Sequence, residues 1–216
     1  MKNPGQLIDS LMAYRKRSAS VFNPWADACE FDIDKRAPQS RQDRLLKHLS
    51  IAKPKYILVG EAAGYQGCRY SGVTFTSEKI LLSESIPRLS RLTERLTNRG
   101  IPFCEPSATI VWGALRKNGI AEQSILWNTF PFHPMRGSPI HSNRTPTTQE
   151  IEDGAKFLVE LLSLYEAAPK IIAVGKKAQF LLANVGISPS ACVRHPAFGG
   201  ANEFRAGLAV VVKDKA

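Results

Sequence analysis

Short apolar runs alternate with stretches of helical periodicity along most of this chain, and that order confines it to a small set of folds. Residues 56–59 (Tyr-Ile-Leu-Val) read as a central buried strand that stops at Gly60. Residues 124–127 lead into Asn128, residues 171–174 form a third strand, and residues 191–193 enter Arg194-His195-Pro196. Residues 208–212 (Leu-Ala-Val-Val-Val) add a terminal strand. Between them the spacing predicts helices over 6–17, 41–49, 109–117 and 176–185. Leu82, Ile86, Leu89, Leu92 and Leu96 predict another, which Pro87 should kink or split. Thr147 and Glu150 have capping-box spacing for a helix whose Ile151, Ala155, Leu158, Leu162 and Tyr165 share a face and which stops at Pro169. The expectation is an α/β, three-layer sandwich with a central, mainly parallel sheet flanked by helices.

The 216 residues, 44% of them hydrophobic and 22% charged, suit one domain over 1–216 with a core that needs no covalent staples. No apolar run is long enough to span a bilayer, and the N-terminus lacks the basic-then-apolar order of a signal peptide, so a cytoplasmic protein with no membrane partner is expected. Lys and Arg outnumber Asp and Glu by 29 to 19, and the formal charge of +10 favours polyanions such as nucleic acid. A solvated basic surface would have the same composition. Cys29, Cys68, Cys104 and Cys192 contain no C-x-x-C pair, and His48, His133, His141 and His195 are equally scattered, so neither a zinc site nor any other metal cluster has sequence support.

In an open parallel sheet, loops beyond the carboxyl ends of the strands gather at one edge, where ligands bind. Three loops here, at 60–75, 128–134 and 195–202, each follow an apolar run. The first is punctuated by Gly60, Gly64, Gly67 and Gly72 and ends at Phe75. Such backbone can approach a flat polar ligand and line a pocket with peptide N–H groups, with Phe75 as its floor. The same glycines would also serve an ordinary strand-to-helix connection.

Taken together, the three loops resemble the motifs of the uracil-DNA glycosylase superfamily. Gly60-Glu61-Ala62-Ala63-Gly64 is similar to the first motif in its Gly-Glu-Ala-Pro-Gly form, with Phe75 at the place of the aromatic that stacks on an extruded base. Asn128 matches the asparagine of the middle motif, and His195-Pro196 matches the start of the last. The resemblance runs roughly over residues 56–208 and implies a uracil-DNA glycosylase-like fold that hydrolyses the bond between a damaged base and deoxyribose. It also implies a substrate-binding set of Gly60, Ala62, Ala63, Gly64, Tyr65, Phe75 and Asn128. His195 would hydrogen-bond the base oxygen as negative charge builds there, either as neutral donor or as imidazolium. Asn128 would read the edge of uracil and disfavour cytosine by leaving polar groups unpaired. Phe198 sits where relatives push an apolar wedge into DNA, and Arg69, Arg194 and Arg205 are candidates for phosphate contacts.

Two departures bear on mechanism. The branch of the family with a water-positioning aspartate at the third place of the first motif is not followed, because that place is Ala62; Glu61 becomes the leading candidate to activate water, with Glu78 behind it. The tyrosine that excludes thymine in that branch is replaced by Gly64, which implies tolerance of 5-substituted uracils unless Tyr65 swings in. The close cysteine pair of the iron-sulfur branches is missing, so no cofactor is expected. No lysine lies in the motif loops, although Lys79 is near in sequence, so a monofunctional glycosylase acting as a monomer on DNA with uracil or other deaminated bases is the reading. A catalytically weak relative that recognises damaged or single-stranded DNA, and a protein that takes a small nucleotide or nucleobase, are the alternatives.

Overall fold

The structure is a computed structural model that describes residues 3–137 and 140–213. Its centre is a four-stranded parallel sheet in the order β3-β2-β5-β6, built from β2 (Tyr56–Ala62), β3 (Ser124–Phe130), β5 (Lys170–Val174) and β6 (Ala191–Val193). A separate antiparallel pair joins β1 (Val21–Phe22) to β4 (His133–Pro134). Helices α1 (Pro4–Met12), α2 (Ala37–Leu49), α3 (Cys68–Ser71), α4 (Glu78–Ser83), α5 (Pro106–Lys117), α6 (Thr148–Leu162), α7 (Lys176–Asn184) and α8 (Ala201–Lys213) surround it.

Alternate side chains of each central strand feed opposite cores, which is why the strands read as continuous apolar runs. Ile57, Val59, Ile125, Trp127 and Ala173 pack with Leu7, Leu45, Leu158 and Leu182 of α1, α2, α6 and α7. Tyr56, Leu58, Leu126, Ile172 and Val174 pack on the other face with Leu81, Trp112 and Leu208 of α4, α5 and α8. These are the three layers of the expected sandwich. The Thr147 capping box forms as its spacing implies, with Glu150 N–H donating to the Thr147 hydroxyl at 3.3 Å and Thr147 N–H donating to the Glu150 carboxylate at 2.8 Å. The outer edge of β3 is closed by His48, whose Nε2 accepts the Leu126 N–H at 3.0 Å. Burial holds this imidazole neutral, with its pKa pushed down to about 3.

Three elements differ from expectation, the first being α1, which ends at Met12 and not at Arg17. The long helix over 82–96 does not form: α4 ends at Ser83, and the chain turns through an Ile86–Leu89 bridge. Pro87 has no N–H to give a helix, and Arg88 takes φ 66°, from where its guanidinium donates to the carbonyls of His48, Glu122 and Ser124 at 2.9–3.1 Å. Farther on, the buried Glu78 carboxylate collects the Leu96, Thr97 and Phe103 N–H groups, replacing helical partners with one side chain. The run at 208–212 is helical, not a strand. Phe204, Leu208 and Val212 are buried at four-residue spacing while Val210 is exposed, so a helical period lay hidden in a β-branched run. Among the described residues no helix is long and apolar enough to cross a membrane.

Candidate active site

The carboxyl ends of the parallel strands open onto a cavity of about 570 Å³. Parts of all three loops singled out by sequence reach it, bringing Glu61, Ala62, Ala63, Gly64, Phe75 and Asn128 together with His195 and Phe198. Register explains the convergence. Gly60 pairs with Asn128 across β2 and β3, so the first glycine of one loop lies beside the asparagine of the other. A Cβ on Gly60 would fall 2.7 Å from Asn128 Oδ1 and 2.9 Å from Phe75 Cζ; only a hydrogen fits there. Gly60 therefore does not line the cavity but lets its floor close. Thr129 fixes the next step of the loop by donating to the Glu61 carbonyl at 2.5 Å.

Asn128 is buried, and its Nδ2 donates to the Thr74 hydroxyl at 3.0 Å, which orients the amide and leaves Oδ1 and the second amide proton for a ligand. Phe75 holds φ 49°, a left-handed conformation that costs an aromatic residue energy and marks an over-determined site. Its ring centroid lies 6.1 Å from that of His195. The Ala197 N–H donates to His195 Nδ1 at 3.1 Å. An accepting Nδ1 makes the neutral ring an Nε2–H donor. Burial lowers the His195 pKa from its ordinary value, against the opposing charge of Glu61 and with that of Arg194, so the neutral donor prevails at neutral pH.

Several sequence assignments move. Arg69 is not at the surface: it is 1% exposed, its guanidinium lies 3.6 Å from the Phe22 ring centroid, and Nη1 donates to His133 Nδ1 at 2.9 Å. His133 then donates from Nε2 to the Ser142 carbonyl at 2.8 Å, while Asn143 Oδ1 accepts the Tyr65 N–H at 3.1 Å. This chain ties the first loop to the segment after β4 and leaves Arg69 no phosphate to meet. Tyr65 points its ring at Phe103 and His141 and does not line the cavity. Glu78 is fully buried and bound by Arg95, Thr97 and Phe103, which rules it out as a water activator. Arg205 bonds Asn202 on α8 and lies outside the cavity wall, as does Arg194, which faces Glu203 at 3.8 Å. Phe198 is 98% exposed at the cavity rim with φ 52°. Lys79 is exposed and lines no part of the cavity.

Several cavity residues escaped sequence reasoning, among them Lys177, Arg136 and Glu105. Lys177, near the start of α7, lines the cavity, sits 3.5 Å from Glu61 and donates to the Thr145 hydroxyl at 2.9 Å. Arg136 reaches the rim and donates to the Asn143 carbonyl at 3.0 Å. Glu105, the residue before α5, forms part of the wall. The signal for Lys177 and Glu105 was topological: in a parallel α/β sheet, residues that follow strands or begin helices come to the same edge as the other loops. Among the described residues no group of three His, Cys, Asp or Glu is placed to hold a metal ion.

The uracil DNA glycosylase superfamily model matches residues 46–212. The crystal structure of wild-type Pedobacter heparinus SMUG2 is similar in fold, with a TM-score of 0.65 and 15% identity over 97% of this chain and 96% of that one. No curated protein sequence matches. The matched span contains every strand of the central sheet and the three loops that meet at the cavity, and the chain belongs to the uracil DNA glycosylase superfamily.

Proposed function

We propose that this protein is a monofunctional DNA glycosylase that takes uracil or a related deaminated base out of the helix and hydrolyses its glycosidic bond, leaving an abasic site. The observation that carries this reading is the meeting of Asn128, Phe75 and His195 around one cavity. Phe75 stacks on the base, Asn128 pairs with its polar edge, and His195 Nε2–H hydrogen-bonds the oxygen that gains negative charge as the bond breaks. Glu61, beside Lys177, sets the field around His195. Phe198 fills the gap left in the stack, and Arg136, Lys177 and Arg194 meet phosphates.

Lys177 removes the sequence ground for a monofunctional enzyme, since a lysine does line the cavity. The assignment rests instead on its partners, because an ammonium shared between Glu61 and Thr145 is not a free amine nucleophile. Gly64 faces only the Asn143 side chain, at 3.8 Å from where a Cβ would lie, and Tyr65 is held elsewhere. That favours acceptance of 5-substituted uracils. Ala62 favours a second reading, recognition of damaged DNA without efficient excision.

An abasic-site assay on oligonucleotides carrying uracil, 5-hydroxymethyluracil, hypoxanthine or xanthine separates these readings. Product from uracil and 5-hydroxymethyluracil is expected. Salt-sensitive binding without product would favour the second reading, and good uracil turnover with complete rejection of 5-substituted bases would contradict the open wall.

A further inference from the structure

Ala62 leaves the site without a carboxylate at the place where the family resemblance puts the water activator, and the cavity wall holds two acidic side chains, Glu61 and Glu105. They differ in their surroundings. Glu61 is shared with Lys177 at 3.5 Å. Glu105 occupies the N-cap position of α5 yet makes no cap hydrogen bond. It turns instead onto Gly67, with its carboxyl where a Cβ of that residue would have to be, so the glycine loop is shaped to admit it. No described side chain is paired with it as a salt-bridge or hydrogen-bond partner. Charged and titratable groups on the cavity wall are Glu61, Lys177, Arg136, Arg144 and His195, with the Cys68 thiol beside Gly67.

We propose that Glu105 is the general base that activates the attacking water. The inference rests on the glycosylase reading above. As the bond between C1′ and the base nitrogen breaks, its electron pair leaves with the base, whose oxygen is held by His195 Nε2–H. The water oxygen bonds to C1′, and its proton passes to the Glu105 carboxylate, which later returns that proton to solvent or to the departed base anion. Burial alone raises the Glu105 pKa, from 4.5 to about 7, which suits a general base working near neutral pH.

Single-turnover excision of uracil between pH 5.5 and 9 tests this with wild type, Glu105→Gln, Glu105→Ala and Glu61→Gln. The wild-type rate is expected to rise through about pH 7, above where His195 titrates. Glu105→Gln should lose that limb and be about 100-fold slower at pH 8 with unchanged DNA affinity, whereas Glu61→Gln should keep the limb. A wild-type rate flat across neutrality would overturn the proposal whether or not the variants fold. So would Glu105→Gln excising within about threefold of wild type, including the case where only its base preference changes, which would make Glu105 a reader of the base. Active wild type with an unaffected Glu105→Gln sinks this inference alone; absence of product from wild type on every base sinks it together with the glycosylase reading.

Discussion

Glu78 and Glu105 lie on either side of the same irregular segment, and the protein treats their carboxyl groups in opposite ways. Glu78 Oε1 accepts from Arg95 Nε and from the Leu96 and Thr97 N–H groups, and Oε2 accepts from the Thr97 hydroxyl and the Phe103 N–H, all at 2.7–3.1 Å. Burial works against that charge, but its five donors outweigh burial and hold its pKa below the ordinary value. Glu105 is part-buried at the cavity wall with no such donors, and desolvation raises its pKa. One region uses a carboxylate as a bracket for a loop that lacks regular structure; the other leaves a carboxyl group basic at the wall of a cavity. Of these two carboxyl groups, the one saturated with donors is scaffolding and the one without them faces the cavity.

The largest effect should come from the bracket. Glu78→Ala takes the acceptor from all five donors at once and strands three backbone N–H groups, so unfolding in urea should show a loss of about 3 kcal/mol or more. A loss under about 1 kcal/mol would break the contrast between the regions. Gly60→Ala strikes the other side. Its methyl group would displace Asn128 or Phe75, and excision should fall about 100-fold while the sheet remains folded by circular dichroism.

The two carboxyl groups should also give opposite pH dependences of stability. The folded-state pKa of Glu78 lies below its unfolded value, so its contribution is complete above the unfolded value and is lost as pH falls through the folded one. Glu105 binds its proton more tightly when folded, so the protein should give up stability as pH rises from 4.5 through about 7. Melting temperatures of wild type and Glu105→Gln from pH 5 to 8.5 read this directly: the variant should lose less on going to high pH. Equal profiles would mean that Glu105 is as well satisfied as Glu78. The smallest change belongs to Phe198→Ala, which should alter stability by less than about 0.5 kcal/mol yet slow excision from duplex DNA more than from single strands.

Much of this was legible in the sequence because the central strands carry dense apolar runs and the motif loops follow them directly. The turn at Arg88 and the helix at 201–213 were not, for different reasons. Leu82 to Leu96 keeps helical spacing, and nothing local announces that Glu78 will claim the backbone N–H groups of Leu96 and Thr97 from the other end of the segment. In the terminal run, β-branched Val210, Val211 and Val212 hide a period set by Phe204 and Leu208. At the site, Asn128 and His195 were readable from their neighbours. Arg69 was misplaced because sequence proximity to a motif says nothing of burial, and its partners Phe22 and His133 come from a strand pair too short to notice. Glu105 and Lys177 needed the topology that brings helix starts to the strand ends.

Single-turnover release of uracil from one oligonucleotide by wild type, Asn128→Ala and His195→Ala, with each variant checked for fold and DNA affinity, tests whether the base sits between Phe75, Asn128 and His195. The expected result is an abasic product from wild type, with both variants slowed by about 100-fold or more while still binding DNA. Excision that neither substitution weakens would contradict the placement of the base between Phe75, Asn128 and His195.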